Sequence, residues 1–295
     1  MASELAKRVA VALVGIPVIL VFIYLGGWYF AALLAVVAAL GANEFFRLAR
    51  QKQIEPFDYL GAVAAALIVL AAVAWGPAES PARLWNGTIA LVILFGTLAI
   101  WLRGVERRPL AAMSVSVAGA LFVGGTLGYA VWLRELPGRS TALALPTMDL
   151  SIAWRGTALV LFPLVITWIN DSLAFFVGRA IGRTKLIPRV SPGKTVEGAI
   201  AGIIGGIAVS VGFGLTLIGP AMGLTASPML WALVGAVIAA AAQVGDLVES
   251  LLKREAGVKD SGTLLPGHGG VLDRFDALFF AIPVSYWLLR WMGLR

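Results

Sequence analysis

"SLLKREAGVKDSGTLLPGHGGVLDRFDALFF" spans Ser250–Phe280 and gathers Lys253, Arg254, Glu255, Lys259, Asp260, His268, Asp273, Arg274 and Asp276. Apolar runs flank it, at roughly 226–251 and 272–292. A helix needs about 20 apolar residues to cross a bilayer, and both runs reach that length. The stretch therefore reads as a charged segment held at a membrane face between two spans.

The rest of the chain repeats the pattern. Of 295 residues, 60% are hydrophobic and only 13% charged. A soluble domain is usually about 45–50% apolar and about 25% charged. The apolar runs are continuous, without the alternation of a membrane barrel. The expected fold is an all-α polytopic membrane protein with about nine transmembrane helices. The runs lie near 9–26, 28–46, 58–76, 86–102, 110–133, 157–177, 197–219, 226–251 and 272–292. The first follows Lys7 and Arg8 as a signal peptide would. It exceeds the usual length of about 7–15 residues and no small-residue cleavage site ends it, so an uncleaved helix is expected.

Loop charge gives the orientation. Nine alternating spans put seventeen of the 23 Lys and Arg residues on one side and six on the other. Positive residues collect in the cytoplasm, so the N-terminus is expected inside and the C-terminus outside. The basic excess reflects this bias, and nucleic acid is not an expected partner. Cysteine is absent, which excludes disulfides and thiolate metal sites but does not fix the compartment. The expected organisation is a transmembrane region at 1–133 (helices one to five), an outer loop at 134–156 and a charge-bearing region at 157–295 (helices six to nine).

Two further segments join the opening stretch. In "TWINDSLAFFVGRAIGRTKLIPRVSPGKTVEG", 167–198, Asn170 and Asp171 interrupt an apolar helix. An Asp near a helix centre costs about 2.5–3.5 kcal/mol on insertion, so it should meet a cavity or a partner. A buried contact between helices satisfies the same requirement, and Gly178 and Gly182 suit close helix packing. Ser191 and Pro192 read as an N-cap and first helical position, with Lys194 and Thr195 in a first turn suited to phosphate. Gly193-Lys194-Thr195 resembles the end of a P-loop, but Pro188 stands where its first glycine belongs. An ordinary basic loop with a helix cap accounts for the same residues.

In "AQVGDLVESLLKRE", 242–255, Asp246, Glu249, Ser250 and Lys253 share one helical face. Ion pairs along the helix are the plainer reading. Asp273 and Asp276 sit one turn apart at the start of the last run, where acids also favour a helix dipole. Carboxylates without Cys or a second His are hard oxygen donors, which points to magnesium rather than zinc. His268, flanked by glycines, is equally a structural or a site residue. Glu44, Arg47 and Arg50 end the second helix as a candidate ion pair, structural or functional. Carboxylates, cations and a helix start at one membrane face are equipment for phosphoryl or nucleotidyl transfer.

Ser250–Asp276 resembles the phosphatidate cytidylyltransferase (CDP-diacylglycerol synthase) signature, S-x-x-K-R-x4-K-D-x-x-x-x-x-[PG]-x-H-G-G-x-x-D-R-x-D, at every fixed position. "SPGKTVEG" is similar to the family's S-P-x-K-T-x-E-G, with Val196 where an aromatic is usual and Gly193 where a basic residue is common. "WINDSLAFFVGR" resembles W-x-x-D-x-x-A-Y-x-x-G, with Phe175 or Phe176 for the tyrosine. These motifs cover about 167–280; helices one to five match in hydropathy and length alone.

The resemblance implies transfer of a cytidylyl group from CTP to phosphatidate, giving CDP-diacylglycerol and pyrophosphate, on the cytoplasmic side of the inner membrane. It implies Mg2+, with a second, monovalent cation as a candidate companion. Asp246, Asp273 and Asp276 would be metal ligands, with Lys259, Asp260 and His268 as further catalytic candidates. Asp171, Lys194, Thr195, Ser250, Lys253, Arg254 and Arg274 would bind substrate. The expected partners are CTP, phosphatidate and the bilayer, with a second copy of the chain as a candidate. A transferase for an ether or isoprenoid lipid phosphate is the alternative within enzymes. An ion-coupled transporter is the alternative outside them, although its paired broken helices find no counterpart in an internal repeat.

Overall fold

The computed structural model describes residues 2–76, 81–137, 150–262 and 269–294. Four helices lead: α1 (Ala2–Leu25), α2 (Gly27–Arg50), α3 (Asp58–Trp75) and α4 (Pro81–Leu102). α5 (Pro109–Gly119) continues through a π-helical stretch, Ala120–Gly125, into α6 (Thr126–Glu135). α7 (Leu150–Ile181) leads into an antiparallel hairpin of β1 (Lys185–Ile187) and β2 (Ser191–Thr195). α8 (Val196–Phe213) runs through a second π-helical stretch, Gly214–Ile218, into α9 (Gly219–Met222). α10 (Pro228–Ala256), α11 (Leu272–Phe275) and α12 (Leu278–Trp291) complete the order.

Each expected apolar run falls on a helical segment, and six segments among the described residues are long and apolar enough to cross a membrane. Two details depart from the sequence reading. A β-hairpin interrupts the all-helical pattern between α7 and α8. The last run opens with the separate turn α11, which places Asp273 and Asp276 ahead of α12. The outer loop expected at 134–156 is described only as far as 137 and again from 150.

A stripe of small residues faces inward on α2, and several large ones face outward. On α2, Gly27, Ala31, Ala35, Ala38 and Ala42 are buried at helical spacing, while Trp28, Tyr29 and Val36 are exposed. Ile93 and Ile204 are likewise exposed. Lipid tails are as apolar as leucine, so association rests on close backbone packing by small side chains. α12 packs against α6, α7 and α10, so one core includes residues from both halves of the chain.

The α1–α2 turn shows how helix ends are satisfied here. Arg134 on α6 is buried and donates from Nε to the Ile23 carbonyl (2.6 Å) and from Nη2 to the Tyr24 carbonyl (2.7 Å). Next to it, Glu135 Oε1 accepts from the Gly27 amide at 3.0 Å. A cation thus meets the last carbonyls of α1 and a carboxylate meets the first amides of α2, each the charge that its helix end favours.

α8 and α10 cross at glycines. A Cβ on Gly235 would lie 2.4 Å from Ser210 Cβ and 2.7 Å from the Gly206 carbonyl, whereas one on Gly212 would meet nothing within 4 Å. Gly235→Val should therefore force the helices apart at a cost of about 1–3 kcal/mol. The expected result is a clear drop in thermal midpoint in detergent, with Gly212→Val close to wild type. Equal midpoints for the two variants would contradict the close crossing.

Candidate active site

The hairpin builds one wall of the site. Lys185 pairs with Thr195 and Ile187 with Ser191, so Ser191–Thr195 is extended backbone. The cap of α8 is consequently Thr195, not Ser191: its backbone is extended (φ −125°, ψ 154°) and its Oγ1 accepts from the Gly198 amide at 3.2 Å. Gly178 and Gly182 make room for that cap, since a Cβ on either would come within 2.8 or 2.6 Å of Thr195 Oγ1. Pairing with β1 overrides the Ser-Pro signal and moves the helix start four residues on. Glu197 then reaches back, its Oε1 accepting from the Thr184 amide at 3.1 Å. Lys194 therefore sits on a strand, not in a helical first turn, and its ammonium meets Asp246 on α10 at 2.5 Å.

Behind the hairpin lies a cavity of about 690 Å³, bounded by α7, β1, β2, α8 and α10. Asp171, Asp246 and Lys194 line it, together with Arg179, Lys185 and Thr195. Phe175 and Ala174 also line the cavity, and the Phe175 ring is exposed. Beneath the acids, buried Asn170 donates from Nδ2 to Asp171 Oδ1 at 3.0 Å. Its Oδ1 accepts from Gln243 Nε2 at 2.8 Å, and the same amide nitrogen reaches the Ala199 carbonyl at 2.9 Å. This network joins α7, α8 and α10 directly under the cavity floor. Ser250 Oγ lies 3.4 Å from Asp246 Oδ1, one turn along α10.

A second cluster lies further along α10. Lys253 Nζ stands between Glu249 Oε2 (2.5 Å) and Asp273 Oδ1 (2.7 Å). Asp273 Oδ2 accepts from the Ser261 amide (2.9 Å), the Ser261 hydroxyl (2.9 Å) and the Gly270 amide (2.8 Å). Burial alone would raise this carboxyl, but Lys253 and the amide donors outweigh it and hold its pKa at about 2. Both Asp273 oxygens are thus engaged by protein donors, Lys253 on one and Ser261 and Gly270 on the other. Gly245 lets the turn after α11 approach α10, since a Cβ there would lie 2.6 Å from the Asp276 carbonyl. Burial and then the charge of Asp246 push the Asp276 carboxyl up to about 7, with Asp171 adding to the effect.

The remaining expected residues are dispersed. Arg254 donates from Nε to the Val190 carbonyl (3.4 Å) and from Nη1 to the Val258 carbonyl (3.3 Å), tethering the hairpin turn to α10. Lys259, Asp260 and Arg274 are exposed, outside the cavity wall. His268 lies outside the described residues. Arg179 and Lys185 read as ordinary basic-loop residues in the sequence, and Gln243 carried no signal. Only the chain's path shows that all three line the cavity.

Among the described residues no three acids, histidines or cysteines form a ready-made metal cage. Magnesium does not require one. It is commonly held by one or two carboxylates together with substrate phosphates and water. Asp171 and Asp246 in the wall, with Asp276 electrostatically coupled to both, are an oxygen-only set carrying excess negative charge, and they fit such an ion.

The sequence profile of the cytidylyltransferase family matches residues 6–292. A phosphatidate cytidylyltransferase of Synechocystis sp. is 34% identical over 296 residues, 96% of each chain. Its counterpart in Pseudomonas aeruginosa is 35% identical over 296 residues, 97% of each chain. That of Bacillus subtilis is 43% identical over 135 residues, covering 45% of this chain and 48% of its own.

The raised Asp276 carboxyl has a thermodynamic consequence. Folding favours its protonated form, so its contribution to stability falls as pH rises from near its unfolded value, about 3.9, through the folded value. In metal-free detergent buffer, wild type should lose thermal stability relative to Asp276→Asn between about pH 4 and about pH 7, with little further change above. An unchanged difference across that interval would contradict the buried, acid-crowded placement.

Proposed function

The chain belongs to the cytidylyltransferase family, and we propose that the cavity between the hairpin and α7, α8 and α10 is where it joins CTP to phosphatidate. It is an enzyme of the phosphatidate cytidylyltransferase type and makes CDP-diacylglycerol and pyrophosphate. The observation that carries the site assignment is the cavity wall. Two carboxylates, Asp171 and Asp246, stand with the cations Arg179, Lys185 and Lys194 between helices that cross a membrane. A water-soluble triphosphate and a lipid phosphate can both reach such a place.

A phosphate oxygen of the lipid attacks the α-phosphorus of CTP. The bond from that phosphorus to the bridging oxygen breaks, and pyrophosphate leaves with the electron pair. A phosphate monoester is already anionic near neutral pH, so the nucleophile needs no strong base. That agrees with the acids and cations that the described residues place in the cavity wall. Lys194, at the end of β2, exchanges Asp246 for phosphate oxygens when nucleotide enters. Arg179 and Lys185 neutralise the charge of the second phosphate group. Asp171 and Asp246 would hold magnesium, which when bound supplies charge neutralisation to the triphosphate. Asn170 and Gln243 keep the two acids at a fixed separation.

The proposed topology has nine spans, with α5 and α6 forming one and α11–α12 the approach and body of the last. The N-terminus is cytoplasmic and the C-terminus outside. Support comes from the charge count of the loops and from the gathering of Lys185, Lys194 and Arg254 around the hairpin. The cavity then opens to the cytoplasm from the inner membrane of the cell.

Purified protein given CTP and phosphatidate should release pyrophosphate only with a divalent cation present. Chelation should abolish turnover and magnesium should restore it. Equal turnover after chelation would contradict the role given to the acids. Asp246→Asn should lose turnover by about a hundredfold or more while remaining folded, as expected for a charged contact worth about 3 kcal/mol or more. Activity near wild type would remove Asp246 from the site.

Lys194→Ala should lower kcat/KM for CTP by about tenfold or more, the scale of one charge-assisted contact. Arg183 is exposed and outside the cavity wall, so Arg183→Ala should stay within about threefold, the effect of one surface charge. A larger loss for Arg183→Ala would move the triphosphate onto the outer loop.

A further inference from the structure

Glu44 lies near the end of α2, in the half of the chain that carries none of the family motifs. It is wholly buried. Its sequence partner Arg47 is half exposed, with its guanidinium 3.8 Å away, beyond hydrogen-bond range. The groups that do meet Glu44 come from more than 200 residues later. Its Oε2 accepts from the Leu272 amide at 2.9 Å and lies 3.0 Å from the Ser261 hydroxyl. Gly262 and Gly270 close around it, since a Cβ on either would lie within 2.5 Å of a Glu44 carboxylate oxygen.

Burying a carboxylate is costly unless donors compensate, and an alanine would serve α2 as a helix residue at least as well. The contacts show what the acid does instead. Ser261 Oγ sits between Glu44 Oε2 at 3.0 Å and Asp273 Oδ2 at 2.9 Å. Asp273 in turn holds Lys253 at 2.7 Å. One hydroxyl thus couples a carboxylate of α2 to the Asp273–Lys253 pair, and Leu272, the residue before Asp273, is pinned to the same carboxylate. Ser261 and Leu272 thus both meet a single side chain of the other half.

We propose that Glu44 is a positioning residue for nucleotide transfer: it fixes Ser261 and Leu272, and through Asp273 it holds Lys253, which α10 carries two turns beyond Asp246. The kinetic part rests on the function proposed above; the contact itself does not. The N-terminal half thereby has a task in the reaction beyond membrane anchorage.

The first test needs no substrate. Hydrogen exchange in peptides covering 269–275 should speed up by about tenfold or more in Glu44→Ala, because the Leu272 amide loses its acceptor. Exchange in α7 should be unchanged, which separates local release from unfolding. In turnover, KM for CTP should rise by about tenfold in folded Glu44→Ala, whereas a loss of folded protein alone would lower the rate and leave KM as it was. Glu44→Gln keeps an acceptor oxygen and should recover most of the loss. Ser261→Ala should show part of the same effect, and combining it with Glu44→Ala should add little. Unchanged exchange at 269–275 would overturn the contact. Faster exchange with an unaltered KM would overturn the positioning role. A wild-type protein unable to use CTP and phosphatidate would overturn the functional reading, with the exchange result still decisive for the contact.

Discussion

A carboxylate enclosed by apolar helices must find a cation or a set of N–H and O–H donors, and the arrangement at this end of the molecule follows from that need. Asp246 takes Lys194 from the hairpin. Glu249 and Asp273 share Lys253. Asp171 takes the Asn170 amide, and Glu44 takes Ser261 and Leu272. Each pairing joins segments distant in sequence or fixes the helix that carries the acid, so satisfying the acids assembles the site. Where the donors run short, around Asp246 and Asp276, the excess negative charge is what a bound cation or a neighbouring ammonium would relieve.

The hairpin converts this electrostatics into a place for a ligand. As a continuous helix from Ser191, the segment would leave Lys194 one turn inside a rigid rod. As β2, paired to β1 and capped onto α8 by Thr195, it forms a wall standing off α7 with a cavity behind it. The glycines at 178, 182 and 198 allow the backbone approach that this wall needs. Charge on the wall and carboxylates on the helices opposite then face one space, consistent with neutralisation and positioning as the main work of nucleotidyl transfer.

Much of this was legible in the sequence, for a physical reason. Hydropathy and loop charge respond to the bilayer directly, so the helical segments fall where the apolar runs lie, and Asp171 and Asp246 stood out because acids are rare in such runs. Three-dimensional routing was not legible. Ser191 and Pro192 carry a local helix-start signal that strand pairing overrides. Gln243 and Lys185 look ordinary until α8 and α10 bring them to the cavity. Glu44 reads as half of an ion pair with Arg47, structural or functional, because nothing local announces a partner 217 residues away. Asp273 and Asp246 read alike in the sequence, as candidate metal ligands, but do not share an environment. One is saturated by loop donors, the other faces the cavity with a single lysine.

A structure of the protein in lipid nanodiscs with CTP and magnesium tests whether the hairpin cavity receives the nucleotide triphosphate. The triphosphate is expected inside the cavity, with Lys194 moved from Asp246 onto phosphate oxygens and the cation against Asp171 or Asp246. Nucleotide bound elsewhere, for example over Lys259 and Arg274 with the Lys194–Asp246 pair intact, would contradict it.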